Sequence, residues 1–210
     1  MTTQDATGEA GTATRDTRRG FDREAALALL IPEPDSYLIV AGLGNAVFDM
    51  SRLTGGAPFC YPLDGAMGAA VSLGLGIALA QPDQRVLVVT GDGELLMNLG
   101  ALATVAAADP PNLSILCLDN RCYGLTGGQP THTAAGADIR KAGAALGLRH
   151  TSRPQDEAQL RAAAAVLRAA PSAALVVVDV TAANSAPCAV DRDGDACRVR
   201  FLAHAVRAAT

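Results

Sequence analysis

Arg85-Val86-Leu87-Val88-Val89-Thr90-Gly91-Asp92-Gly93-Glu94 decides the fold. An apolar run without polar alternation reads as a strand buried on both faces. This one stops on Gly91-Asp92-Gly93. A helical stretch from Glu94 to Ala108 follows, and then a second apolar run, Asn112 to Leu118, stops on Asp119-Asn120. A crossover of that length joins parallel strands. In an open parallel sheet, ligands sit at the carboxyl ends of the strands. Asp92 and Asn120 stand at two such ends. Gly91 and Gly93 allow a sharp turn and a close backbone approach to an anion. The helix beginning near Glu94 aims its N-terminus at the same place, which favours phosphate. A carboxylate and an amide oxygen suit magnesium, which takes a few protein oxygens and fills its shell with phosphate and water. A lone Gly-Asp-Gly, or a lone Asn after a strand, is an ordinary turn. The ordered pair is what points to a diphosphate–magnesium site.

The same pattern extends outward. Tyr37-Leu38-Ile39-Val40 is a short strand stopped by Gly42 and Gly44, with a helix predicted from Asn45 to about Leu53. Residues 55–65 read as loop, and Met67 to Ala80, rich in Ala, Gly and Leu, reads as a helix packed closely against its neighbours. After Asn120 a Gly-rich loop runs from Gly124 to Gly136, then a helix to Leu146. A helix over Glu157–Ala169, a strand over Ala174–Val180 and a closing helix over Arg198–Ala209 complete the chain. Apolar strands separated by helices predict an α/β fold, a doubly wound, mostly parallel sheet covered on both faces. The expected organisation is a disordered leader over residues 1–19, one domain over 20–185 and a tail over 186–210. A helix over Phe21–Leu30, ended by Pro32 and Pro34, opens the domain.

Composition bounds the function classes. Half of the 210 residues are hydrophobic, aromatics are scarce and Trp is absent, so the core is one of small aliphatic side chains. The net charge is −4, with no basic stripe to hold nucleic acid. No apolar run approaches the length of a membrane span, about 20 residues, and the polar start carries no signal-peptide stretch. A cytoplasmic protein is expected. None of the five cysteines has CxxC spacing, so they are read as reduced, with Cys117 in the core and Cys188 and Cys197 near enough in sequence to pair.

Gly91-Asp92-Gly93, the segment Leu96-Met97-Asn98-Leu99-Gly100-Ala101-Leu102-Ala103-Thr104, and Leu118-Asp119-Asn120 with Tyr123-Gly124 resemble the thiamine-diphosphate motif. That motif belongs to the pyrophosphate-binding domain of thiamine-dependent decarboxylases. Gly65-Ala66-Met67-Gly68 resembles that family's Gly-Ser-Met-Gly segment, and Thr126-Gly127-Gly128-Gln129-Pro130-Thr131 resembles a loop of phosphonopyruvate and sulfopyruvate decarboxylases. The resemblance implies thiamine diphosphate and Mg2+ as cofactors. Asp92, Asn120 and the backbone carbonyl of Cys122 would ligate the metal. Gly93 and Glu94 would offer N–H groups to the diphosphate, with Gly42, Gly91, Tyr123 and Gly124 beside it. Gly65 and Ala66 would meet the aminopyrimidine, Met67 would bend the cofactor, and Leu125 would pack near the thiazolium or the diphosphate. His132 is the candidate proton shuttle or substrate contact, and its alternative is an exposed loop histidine.

In this family a Glu on a second, pyrimidine-binding domain activates the cofactor, and sulfopyruvate enzymes include versions split into two short chains. The resemblance therefore implies a separate pyrimidine-binding (alpha) subunit, a hetero-oligomer such as α2β2, and decarboxylation of a 3-substituted pyruvate. The alternatives are a carboligase that passes the same enamine to an aldehyde, and a non-catalytic cofactor-binding subunit. A nucleotide-binding domain fits less well, because Gly42-Leu43-Gly44 lacks the third Gly of that turn. Three positions depart from the family pattern. Ala41-Gly42-Leu43-Gly44-Asn45-Ala46 lacks the usual Thr-Gly and a following Arg, Asp64 precedes Gly65, and Glu94 replaces a common Ser. With only its backbone used, the Glu94 side chain is expected to turn to solvent.

Overall fold

Six parallel strands form one sheet in the order β2-β1-β3-β4-β8-β7. The computed structural model describes residues 20–186 and 188–207. The expected leader, 1–19, lies outside the described residues. In chain order, α1 (Arg23–Leu30) precedes β1 (Leu38–Ala41), α2 (Asn45–Thr54) leads to β2 (Cys60–Pro62), and α3 (Ala70–Ala80) leads to β3 (Val86–Gly91). Next come α4 (Asp92–Met97), α5 (Ala101–Ala108) and β4 (Leu113–Asp119). A small antiparallel ribbon, β5 (Cys122–Tyr123) with β6 (Gln129–Pro130), is followed by α6 (Ile139–Ala145) and β7 (His150–Ser152). Then α7 (Glu157–Ala169), β8 (Ala174–Asp179) and α8 (Gly194–Arg207) complete the chain.

Alternate strand residues face opposite sides of a sheet, and here they build two cores. Val40, Val86, Val88, Ile115, Cys117 and Leu175 pack under α3, α5, α6 and α8. Ile39, Leu87, Val89, Leu116, Val176 and Val178 pack under α1, α2 and α7. This is the doubly wound sheet read from the sequence. The glycines of α3 have a packing reason, since a Cβ on Gly74 would stand 2.2 Å from Cγ2 of Val88. Side-chain oxygens of Asp22, Asp138 and Asp156 cap α1, α6 and α7. Cys117 is buried in β4, and no disulfide forms among the described cysteines. Among the described residues no helix is long and apolar enough to cross a membrane.

The structure corrects three local expectations and adds one strand that the sequence reading did not address. The helix read over Glu94–Ala108 is two helices, because Asn98 leaves helical geometry (φ −140°) and its Nδ2 donates to the Gly68 carbonyl, 3.1 Å away. The helix read from Met67 starts at Ala70, after Gly65 and Gly68 with φ of +87° and +85°. Within the loop read over 55–65, Cys60–Pro62 adds an edge strand to β1. His150–Ser152 adds the other edge strand, on β8. Both are three residues long, too short to show a period.

Candidate functional site

A cavity of about 460 Å³ opens at the carboxyl ends of β1, β3 and β4. Met67, Gly91, Asp92, Gly93, Glu94, Asn120, Cys122, Tyr123, Gly124 and Leu125 line it, all of them site residues expected from the sequence. Gly65 and Ala66 sit in the turn before Met67 and are not part of the lining, and Gly42 lies behind Glu94. Met67, Met97 and Leu125 leave large apolar side chains exposed at the rim. His132 is not brought to the cavity. It is exposed in a short 3-10 turn, while its neighbours Thr131 and Thr133 are buried.

Those two threonines are the part of the site that the sequence did not reveal. Asp92 is 1% exposed at the first turn of α4. Its Oδ2 accepts from the hydroxyls of Thr131 (2.5 Å) and Thr133 (2.8 Å), which leaves Oδ1 outside both bonds. The Thr133 Oγ1 also lies 2.8 Å from Oδ1 of Asp119. One hydroxyl proton cannot serve two carboxylates fully. Burial, and next the nearby charge of Asp92, push the Asp119 carboxyl up to about 6, against the opposing pull of Thr133 and Arg153. Replacing Thr133 by Val keeps the shape and removes the hydroxyl that fixes Asp92. Groups that orient a metal ligand are typically worth about 10–100-fold in metal affinity, so were Asp92 to ligate magnesium, Thr133→Val would weaken that binding by the same factor, as measured by calorimetry. An unchanged affinity would show that the hydroxyl does not set the ligand.

Asp119 also gives the metal-free protein a pH dependence. Its folded value lies above the ordinary 3.8, so the folded state holds the proton more tightly than the unfolded chain. Stability from this group is present below pH 4 and is lost as pH rises to about 6. The Glu94 and Asp49 carboxyls are raised as well, in both cases first by burial, and act in the same direction. The Asp138 and Asp191 carboxyls are lowered and act in the opposite direction, so the Asp119 contribution is read by difference: in a chelating buffer, urea denaturation of Asp119→Asn should lose less stability between pH 4.5 and pH 7 than the wild type does.

The second strand end is built by a turn. Arg121 adopts φ +61°, and the side-chain oxygens of Asp119 and Asn120 accept from the N–H groups of Arg121 and Cys122, each at 3.2 Å. The chain then enters the β5–β6 ribbon, which carries Thr131 back to Asp92. Tyr123 lies against Gly93, where a Cβ would stand 2.4 Å from its Cε1. Beyond β8, residues 183–186 strap the other wall. Asn184 donates to the Gly124 carbonyl (3.0 Å) and accepts from Asn45 (3.1 Å).

Glu94 does not turn to solvent as expected. It is 3% exposed, and its Oε2 accepts from the Thr90 hydroxyl at 2.7 Å. The hollow it fills exists because residue 42 is a glycine, a pairing that neither position shows alone. Arg23 is the one cation on the cavity wall among the described residues. It comes from α1, is buried, and bonds Asp49 (3.3 Å), Ser185 (3.3 Å) and the Ala183 carbonyl (3.4 Å).

The donor set suits a magnesium ion bound to phosphate. Among the described residues no cluster of three or more His, Cys, Asp or Glu side chains is placed to hold a metal. An ion here would draw on Asp92, the Asn120 amide oxygen, a backbone carbonyl and the ligand's own oxygens, which is how magnesium is held beside phosphates.

Known proteins with this sequence pattern agree with the geometry. The sulfopyruvate decarboxylase subunit beta of Methanothermobacter thermautotrophicus is 44% identical over 110 residues, which are 52% of this chain and 56% of that protein. The phosphonopyruvate decarboxylase of Streptomyces hygroscopicus is 44% identical over 128 residues, 60% of this chain and 31% of that one. The chain thus spans between about a third and just over half of the length of these relatives. The crystal structure of benzoylformate decarboxylase from Polynucleobacter necessarius superposes with a TM-score of 0.63 over 89% of this chain and 36% of that one, at 18% identity, a likeness of fold. Residues 44–180 match the model of the thiamine pyrophosphate enzyme, C-terminal TPP binding domain. That span runs from the turn after β1 to the end of β8 and takes in every cavity-lining position named above except Arg23, and the chain belongs to this family of thiamine pyrophosphate-binding domains.

Proposed function

We propose that this chain is the thiamine diphosphate- and magnesium-binding subunit of a split 2-oxo acid decarboxylase that acts on a 3-substituted pyruvate. The observation that carries the reading is the placement of Asp92 and Asn120 at neighbouring strand ends on one cavity whose apolar rim stands open. Asp92, Asn120 and the Cys122 carbonyl would hold the metal, and the backbone of Gly93 and Glu94 would face the diphosphate. Met67 and Leu125 would support the ring system. When bound, the cofactor supplies an electron sink for loss of carbon dioxide. The chain's own residues bind and orient it, and the apolar rim excludes water once covered.

Among the described residues, the carboxylates on the cavity wall are Asp92 and Glu94. Asp92 is held at the metal end, and Glu94 is turned back against Gly42. Neither is placed to protonate a pyrimidine ring. The activating Glu therefore belongs to a separate pyrimidine-binding subunit, in keeping with the beta-subunit name of the Methanothermobacter relative. Among the described residues the one cation on the wall, Arg23, is already paired with Asp49. The charge that meets a sulfonate or phosphonate thus comes from the partner's face, or the 3-substituent is neutral.

The test is reconstitution with the partner subunit, magnesium and thiamine diphosphate. Carbon dioxide and aldehyde should appear from sulfopyruvate, phosphonopyruvate or another 3-substituted pyruvate. Acyloin formed at the expense of free aldehyde would make the enzyme a carboligase. Cofactor binding without turnover of any 2-oxo acid would leave a non-catalytic subunit and sink the decarboxylase reading.

A further inference from the structure

Gly42 and Glu94 compete for one space. Gly42 follows β1, and a Cβ built on it would stand 2.0 Å from Oε2 of Glu94 and 2.7 Å from Oε1. Atoms cannot approach that closely in a packed interior. An alanine at 42 and the observed Glu94 side chain therefore exclude one another. In this seat the carboxylate accepts from Thr90, and the backbone amides of Leu43, Gly91 and Gly68 face it. These amides belong to three separate segments, the turn after β1, the end of β3 and the turn before α3. Leu43, Gly91 and the Met67 that precedes Gly68 all line the cavity. The second oxygen, Oε1, is buried and completes no hydrogen bond.

Buried polar atoms are almost always partnered, and an orphan acceptor in a native site calls for a reason. Here the amides that face the same carboxylate belong to segments at the cavity. We propose that Glu94 is a positioning residue for the cofactor, and that Gly42 and Glu94 act as a pair. The carboxylate, seated in the hollow left by Gly42, braces the three segments against one another. A ligand that draws the segments inward brings their amides onto Oε1. Glu94 touches no reacting atom in this account, since its carboxylate is turned towards Gly42 and away from the metal end. The inference rests on the cavity being the thiamine diphosphate site.

The test is calorimetric binding of thiamine diphosphate with magnesium to the full chain, compared with the melting temperature of each metal-free variant. Loss of the brace in Glu94→Ser should weaken binding by about tenfold while the metal-free melting temperature stays close to that of the wild type, because the gain is realised on binding. Gly42→Ala should also weaken binding at least tenfold, since it evicts the carboxylate. Residues in direct contact give non-additive effects, so in the Glu94→Ser background Gly42→Ala should cost no more than about twofold. Binding by Glu94→Ser as tight as wild type overturns the proposal, and so do additive effects in the double variant. If Gly42→Ala does not fold, Glu94→Ser decides alone. Absence of binding by the wild-type chain at millimolar cofactor, with the partner subunit present, overturns the cofactor site itself, and this inference with it.

Discussion

Asp92→Ala should abolish magnesium-dependent thiamine diphosphate binding, with a loss of about 1,000-fold or more. Asp92 is buried and holds its carboxylate at the end of β3, with Oδ2 fixed by Thr131 and Thr133. Removing one partner of a buried charge pair costs roughly 3–5 kcal/mol, and each 1.4 kcal/mol is a factor of about ten in affinity. The fold itself should tolerate the change. The charge of Asp92 raises the Asp119 carboxyl, so its removal relieves a repulsion even as the two threonines lose an acceptor. Titration calorimetry with magnesium, together with melting in a chelating buffer, separates the two effects. A variant that binds the cofactor within tenfold of wild type would place the metal elsewhere.

Arg153→Met should cost about 3 kcal/mol of stability, the low end for breaking a buried pair, and should lower the melting temperature by about 10 °C for a domain of this size. Arg153, just beyond β7, donates from Nε to Asp179 (3.0 Å) and from Nη2 to both Asp119 (3.0 Å) and Asp179. Asp138, the cap of α6, lies 3.9 Å from Nη1. The Asp119 side chain is fully buried and that of Asp179 is 18% exposed. Removing the guanidinium leaves both carboxylates facing one another, with Arg121 as a more exposed neighbour of Asp179. Urea denaturation at pH 7 measures the loss, and adding Asp179→Asn to the Met variant should recover part of it. A loss below 1 kcal/mol would mean that solvent replaces the arginine.

The long strands and the two polar residues at their ends were legible because each is declared locally. Val86–Val89 and Leu113–Leu118 are apolar throughout, and Asp92 and Asn120 stand at their ends. The α7 helix, whose apolar positions recur at helical spacing, has the bounds the sequence predicted. What was hidden depends on distance in sequence. Thr131 and Thr133 lie 39 and 41 residues from the carboxylate they hold, in a loop whose pattern does not say where its hydroxyls turn. Arg23 reaches the cavity from α1 through a partner 26 residues on. The burial of Glu94 follows from a glycine 52 positions earlier, and no periodicity records such a pairing.

The position of β8 has a consequence for how the chain is made. It fills the gap between β4 and β7, yet it begins 55 residues after β4 ends (174 − 119). At about 5–20 residues per second on the ribosome, the open edge of β4, fully buried in the finished protein, waits several seconds for its neighbour. An uncovered apolar edge is a template for pairing with other chains. Nascent chains that stop short of Ala174 should therefore be the aggregating species, and solubility during synthesis should rise abruptly once β8 has left the ribosome.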